Sequence, residues 1–297
     1  MKPSTSLTVP IRGLGYHVRS WGEACAPKLF MLHGSMDVGA SFQFLVDALR
    51  RDWHVIAPDW RGFGKSEWCA QGYWFADYLA DLDALLDHFA PDEPARLVGH
   101  SLGGNVAMLY AGVRPKRVAR IVSLEGFGVP AESPDVAPDK FAKWLDALKD
   151  PPGFRPYRDL GAVADQLQKT NRRLSRDKAE FLAAHWARED SDGGARLNSD
   201  PRHKLPFPTV SRLEEVWAVW KRITVPVLWV AATESLISRW LSRQPEGERA
   251  TDTLGEIRAR LAHVPHGELV MIGEAGHMLH LDRPDAVAAA IEPFLAT

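Results

Sequence analysis

The stretch Leu97-Val98-Gly99-His100-Ser101-Leu102-Gly103-Gly104 constrains this chain more than any other, because it sets a serine between two glycines where an apolar run meets a helical pattern. A sharp strand-to-helix turn would hold that serine in strained backbone geometry, and side chains at Gly99 and Gly103 would collide across the turn. Beyond it, Leu102, Val106, Leu109, Tyr110 and Val113 recur at helical spacing. Ser101 is therefore expected at a helix N-terminus, where backbone N–H groups stabilise developing negative charge. A glycine-flanked serine also occurs as an ordinary turn, so the meaning of the motif depends on its surroundings.

Those surroundings alternate. Short apolar runs at Lys28–Leu32, Val55–Ala57, Arg96–Val98, Ala119–Leu124 and Val227–Val230 are separated by longer helical patterns, as in a parallel sheet covered on both faces. Tyr73–Phe89 is the clearest helix, with Tyr78, Leu82, Leu85 and Phe89 on one face and Asp77, Asp81, Asp83 and Asp87 on the other. Leu7–Arg19 reads as an antiparallel hairpin at the sheet edge. Near the other end, Glu256–Leu261 reads as a short helix, Glu268–Ile272 as a last strand and Asp285–Leu295 as a closing helix. Between Gly126 and Ile223 the alternation stops, and proline-broken helical pieces carry Trp144, Trp186, Trp217 and Trp220. This predicts a core of residues 1–125 and 224–297 with a helical cap of residues 126–223 inserted in it. The tryptophans read as packing residues, with Trp144, Trp186 and Trp217 as candidates to line a substrate pocket.

Composition narrows the partners. With 45% hydrophobic residues in 297, the chain can bury a large core, and a net charge of −2 without charge blocks gives no footprint for nucleic acid or anionic membrane. Cys25 and Cys69 lack disulfide or metal-ligand spacing and read as free thiols. The start Met1-Lys2-Pro3-Ser4 lacks a signal peptide's apolar region, and the run Val225–Ala232 is too short to span a bilayer, so a cytoplasmic protein with a small-molecule partner is expected.

A serine hydroxyl is a weak nucleophile and needs a base, which in turn needs an orienting acid. His277, in Gly273-Glu274-Ala275-Gly276-His277-Met278 after the last strand, is the candidate base; the neutral alternative is a surface-loop histidine, as His280 reads. Leu32-His33-Gly34-Ser35-Met36 follows a strand, so the N–H of Ser35, or that of Met36, can pair with that of Leu102 as an oxyanion hole. His33, His100, His277 and His280 lack the spacing of a metal motif, and no cofactor is expected.

With these parts the chain resembles the α/β-hydrolase superfamily over essentially its whole length. The resemblance rests on the His33-Gly34 loop, the Asp59-Trp60-Arg61-Gly62-Phe63-Gly64-Lys65-Ser66 turn, the Ser101 elbow, the cap insertion and Gly276-His277. It implies a mostly parallel central sheet flanked by helices, and a nucleophile–acid–histidine order along the chain. It also implies that Asp59 and Arg61 are architectural. Most of the superfamily carries the acid in a glycine-containing turn after the strand that is here Val227–Val230, yet this chain reads Ala231-Ala232-Thr233-Glu234-Ser235, with Ser235 at the usual position. Haloalkane dehalogenases, another branch, can carry the acid one strand earlier, where this chain has Ser123-Leu124-Glu125-Gly126. A carboxylate at a strand's C-terminal end faces the ligand-binding side of the sheet, so Glu125 is preferred to Glu234.

The expectation is a cofactor-free serine hydrolase acting on a small carboxylic ester or lactone. Two alternatives stand beside it. One is a non-catalytic ligand-binding protein on the same fold. The other is a C–C hydrolase, lyase or acyltransferase using the same serine and histidine.

Overall fold

Arg12 and Gly13, both at positive φ (46° and 81°), turn Ser4–Ile11 (β1) back onto Leu14–Trp21 (β2) as the expected antiparallel hairpin. The structure, a computed structural model, describes residues 1–191, 193–242 and 253–297. After the hairpin come Lys28–Leu32 (β3), Gln43–Ala48 (α1), His54–Pro58 (β4), Phe75–Phe89 (α2), Ala95–His100 (β5), Leu102–Val113 (α3) and Val118–Leu124 (β6). The segment above the sheet holds Ala137–Lys149 (α4), Leu160–Thr170 (α5), Arg176–Trp186 (α6), Ala187–Glu189 (β7) and Ala195–Leu197 (β8). Leu213–Trp220 (α7), Val227–Ala232 (β9), Ile237–Ser242 (α8), Thr253–Leu261 (α9), Gly267–Ile272 (β10), Leu279–Asp282 (α10) and Pro284–Ala296 (α11) complete the chain.

The main sheet runs β1-β2-β4-β3-β5-β6-β9-β10, antiparallel at the hairpin edge and parallel from β4 to β10. Its inner strands are apolar on both faces because both are covered. One face packs Leu82 and Leu85 of α2, Val106 and Tyr110 of α3 and Trp220 of α7. The other packs Leu45 and Val46 of α1 with Val287 and Ile291 of α11. The C-terminal ends of parallel strands all point one way, and there the loops gather their polar residues.

The inserted segment builds a small core of its own from Val163, Ala164, Leu182, Ala183 and Ala195, joined from below by Leu281. It differs from the expected all-helical cap in two respects. The β7–β8 pair is an antiparallel hairpin, with strands too short to show a period in the sequence. And α7, expected in the cap, packs on α3 of the body: a Cβ at Gly112 would strike the Val219 carbonyl, and Trp220 is fully buried against Trp229. The apolar periodicity of α7 that reads as cap helix is a body-facing stripe.

Candidate active site

At the end of β5 the chain turns into α3 within one residue. Ser101 takes φ 51° and ψ −111°, a conformation closed to most L-residues without a penalty of order 1–3 kcal/mol. The surrounding packing enforces it: a Cβ on Gly103 would strike the Leu32 carbonyl, and one on Gly99 would strike the Gly103 backbone. Ser101 N–H donates to the Leu124 carbonyl (2.8 Å), and its own carbonyl accepts from Asn105 N–H (3.0 Å), so the elbow is pinned on both sides. Five non-glycine residues have positive φ among the described residues, and Met36, Ser101 and Glu125 are three of them. Backbone strain is thus concentrated in the loops singled out from sequence.

Glu125 directly follows β6, at φ 56°, and is 1% exposed. Its Oε2 lies 3.2 Å from His277 Nδ1, its Oε1 accepts the Ala232 N–H at 2.7 Å, and the Ser235 hydroxyl donates to Oε2. Glu234 is exposed and pairs instead with Arg173 of the cap. Of the two carboxylates considered from sequence, Glu125 is the one beside the imidazole. Ser235, at the position where the acid was first sought, serves that carboxylate as a hydrogen-bond donor.

His277 is 38% exposed at the side chain. Its carbonyl accepts from His100 Nε2 (2.8 Å), and the two rings lie 4.9 Å apart, which holds the imidazole over the residue preceding Ser101. Among the described residues no hydrogen bond joins the Ser101 hydroxyl to His277; in catalytic pairs this bond commonly tightens only with substrate in place.

His33 is fully buried, with Nδ1 2.7 Å from the Gly34 carbonyl and Nε2 accepting the Trp60 N–H at 2.8 Å. Burial pushes it down to about 4, so it is a neutral brace of the loop. Next to it, a Cβ on Gly34 would lie 3.3 Å from Ser101 Cβ, which puts the Ser35–Met36 turn beside the serine. Leu102 is the first residue of α3, so its N–H has no intrahelical partner. Asp59 accepts N–H bonds from Gly39 (2.7 Å) and Lys65 (3.0 Å), and Arg61 pairs with the buried Asp81; both are architectural in geometry.

The three tryptophans separate. Trp186, at the end of α6, donates from Nε1 to Asp37 Oδ1 (3.0 Å), reaching the loop that carries Ser35 and Met36. Trp144 lines a cavity of about 290 Å³ with Trp74, His203 and Phe207, whose walls do not include Ser101, Glu125 or His277. Trp217 stacks on His263 (4.1 Å) near the N-terminal end of β10, the sheet end opposite the elbow, and so does not line the site. Sequence spacing showed which residues are aromatic but not which way they turn. The expectation also left Asp37 unnoticed; its signal is a lone aspartate just after the His33-Gly34 turn.

The model for the alpha/beta hydrolase fold matches residues 27–284. This chain is an α/β hydrolase. A serine hydrolase-like protein of Danio rerio is 26% identical over 287 residues, covering 93% of this chain and 83% of the relative. A cis-3-alkyl-4-alkyloxetan-2-one decarboxylase of Shewanella oneidensis is 33% identical over 284 residues, covering 92% of this hydrolase and 83% of the relative. A solved structure of a hypothetical protein from Pseudomonas aeruginosa, 25% identical, superposes with TM-score 0.84 over 98% of each chain. Among the described residues, no helix of this hydrolase is long and apolar enough to cross a membrane.

Proposed function

We propose that this α/β hydrolase cleaves a small carboxylic ester or lactone through an acyl-enzyme on Ser101. The observation that carries the reading is the His277 imidazole, whose Nδ1 faces the Glu125 carboxylate at 3.2 Å while its backbone is tied to the elbow through His100. Nδ1–H donates to Glu125, which leaves the Nε2 lone pair to take the Ser101 proton as Oγ attacks the carbonyl carbon. The N–H groups of Leu102 and of Ser35, or Met36 in its place, stabilise the tetrahedral oxyanion. Protonated His277 then donates to the leaving alkoxide. A water, deprotonated by the same imidazole, releases the acid and restores the serine.

Ala232 N–H and the Ser235 hydroxyl fix the carboxylate, so the imidazole keeps one tautomer. The cap, tied through Trp186 to the loop that carries Ser35 and Met36, supports a small molecule over a polymer as substrate. Kinetics on short-chain aryl esters and on lactones test the reading. Ser101→Ala should abolish turnover while the fold is retained, and an active Ser101→Ala enzyme would refute it.

The relative named as an oxetan-2-one decarboxylase favours a second reading on the same residues, lyase chemistry on a four-membered lactone. Product analysis separates the two: hydrolysis adds water and gives a 3-hydroxy acid, whereas the lyase expels carbon dioxide and leaves an alkene.

A further inference from the structure

Directly behind the elbow, three fully buried side chains face one another. Asp37 follows the loop after β3, His100 ends β5 and His280 lies on α10; one ligand-type atom from each lies within 4.8 Å of the others. Among the described residues, Asp37 Oδ2, His100 Nδ1 and both ring nitrogens of His280 have no hydrogen-bond partner, and His280 Nε2 stands 3.9 Å from Asp37 Oδ2. Each orphaned buried polar atom costs about 1–3 kcal/mol, so several converging on one point call for a guest. The proposed hydrolysis uses none of these atoms.

We infer that Asp37 Oδ2, His100 Nδ1 and His280 form a binding site for one divalent transition-metal ion of the zinc type. The donor set, two imidazoles and a carboxylate, is one that such ions take, with a fourth position left open. The outer partners are already in place. His100 Nε2 donates to the His277 carbonyl (2.8 Å), which leaves the Nδ1 lone pair unprotonated and available. Asp37 Oδ1 accepts from Val38 N–H (2.8 Å), from Trp186 Nε1–H (3.0 Å) and from the Ser41 hydroxyl, which leaves Oδ2 for the ion.

Space for the ion depends on Gly34, where a Cβ would come within 2.8 Å of His100 Nδ1. Ligand distances of about 2.0–2.2 Å put donor atoms roughly 3.4 Å apart, so the three side chains close inward by less than about 1 Å on loading. The sequence shows no metal spacing because the ligands come from three separate segments. Ligation of His100 would also stiffen the ring that carries the His277 backbone, and so places the ion behind the catalytic imidazole without touching substrate.

The test is titration of the chelator-treated full chain with Co²⁺, read by its visible absorption and by the melting temperature. One ion per chain with the intense absorption of a four- or five-coordinate site, displaced by Zn²⁺, is expected. The signal should persist in His277→Ala and be lost in both Asp37→Asn and His280→Gln, with folding of each variant checked by circular dichroism. A spectrum that stays that of the hydrated ion overturns the site and leaves a bridging water as its occupant. Binding undiminished in folded Asp37→Asn or His280→Gln, or lost in His277→Ala, overturns it equally.

Discussion

Glu125 Oε2 and His277 Nδ1 stand 3.2 Å apart although 152 residues of chain separate them. The contact exists because β6 and β9 are neighbours in the sheet and the loop after β10 folds back over both. Removing the charge while keeping the shape should therefore be costly. Glu125→Gln is expected to lower kcat by about 10²–10⁴-fold through loss of the required tautomer. Glu234→Gln, which alters an exposed pair with Arg173, should stay within about twofold of the parent. Steady-state kinetics of the two variants side by side check this, and the reverse order would transfer the acid role to Glu234.

Ser235 is argued to position Glu125 rather than to touch substrate. Ser235→Ala should reduce kcat by roughly tenfold with KM little changed, because the carboxylate loses one of its two aimed donors. Ser235→Thr, which keeps the hydroxyl, should restore most of the loss. A change confined to KM, or no rescue by threonine, would count against the role.

Trp186 ties the cap to the loop beside Ser101. Trp186→Phe keeps the ring bulk but removes the donor to Asp37 Oδ1, which retains Val38 N–H and the Ser41 hydroxyl. Stability should fall by about 1 kcal/mol, read as a melting shift of roughly 2–4 °C. Trp144→Phe, in a cavity that Ser101 does not line, should leave turnover of short esters unchanged.

Much of the fold was legible because hydrophobic period is a local signal. The apolar runs Lys28–Leu32 and Ala119–Leu124 coincide with or lie within β3 and β6, and Tyr73–Phe89 overlaps α2 almost residue for residue. The Ser101 elbow was equally readable, since its glycines are required by contacts within a few residues and with the adjacent strand. Other features depend on which distant segments meet. The sequence around Trp217 is the same whether the indole faces a pocket or stacks on His263, and packing of α7 on α3 decides it. Ser235 became a partner of Glu125 only through the β6–β9 pairing, and Asp37 met His280 only through the fold-back after β10.

Burial of His33 has a consequence at acid pH. Its folded-state value of about 4 lies below the unfolded one of about 6.5, so above pH 6.5 both states are neutral and no stability is at stake. As pH falls from 6.5 toward 4, the unfolded chain takes up a proton that the folded one refuses. Stability then declines by up to about 3 kcal/mol from this group before levelling off. Chemical denaturation at pH 7 and pH 4 should show a loss smaller by about that amount in His33→Asn, and an equal loss in both proteins would contradict the neutral-brace role.

The central claim is that Ser101 is a nucleophile activated in this geometry. Intact and peptide mass spectrometry after exposure to a fluorophosphonate tests it most directly. One phosphonyl adduct per chain is predicted, located on Ser101, absent in Ser101→Ala and strongly slowed in His277→Ala. A chain that stays unlabelled while folded, or that carries its adduct elsewhere, would contradict the account.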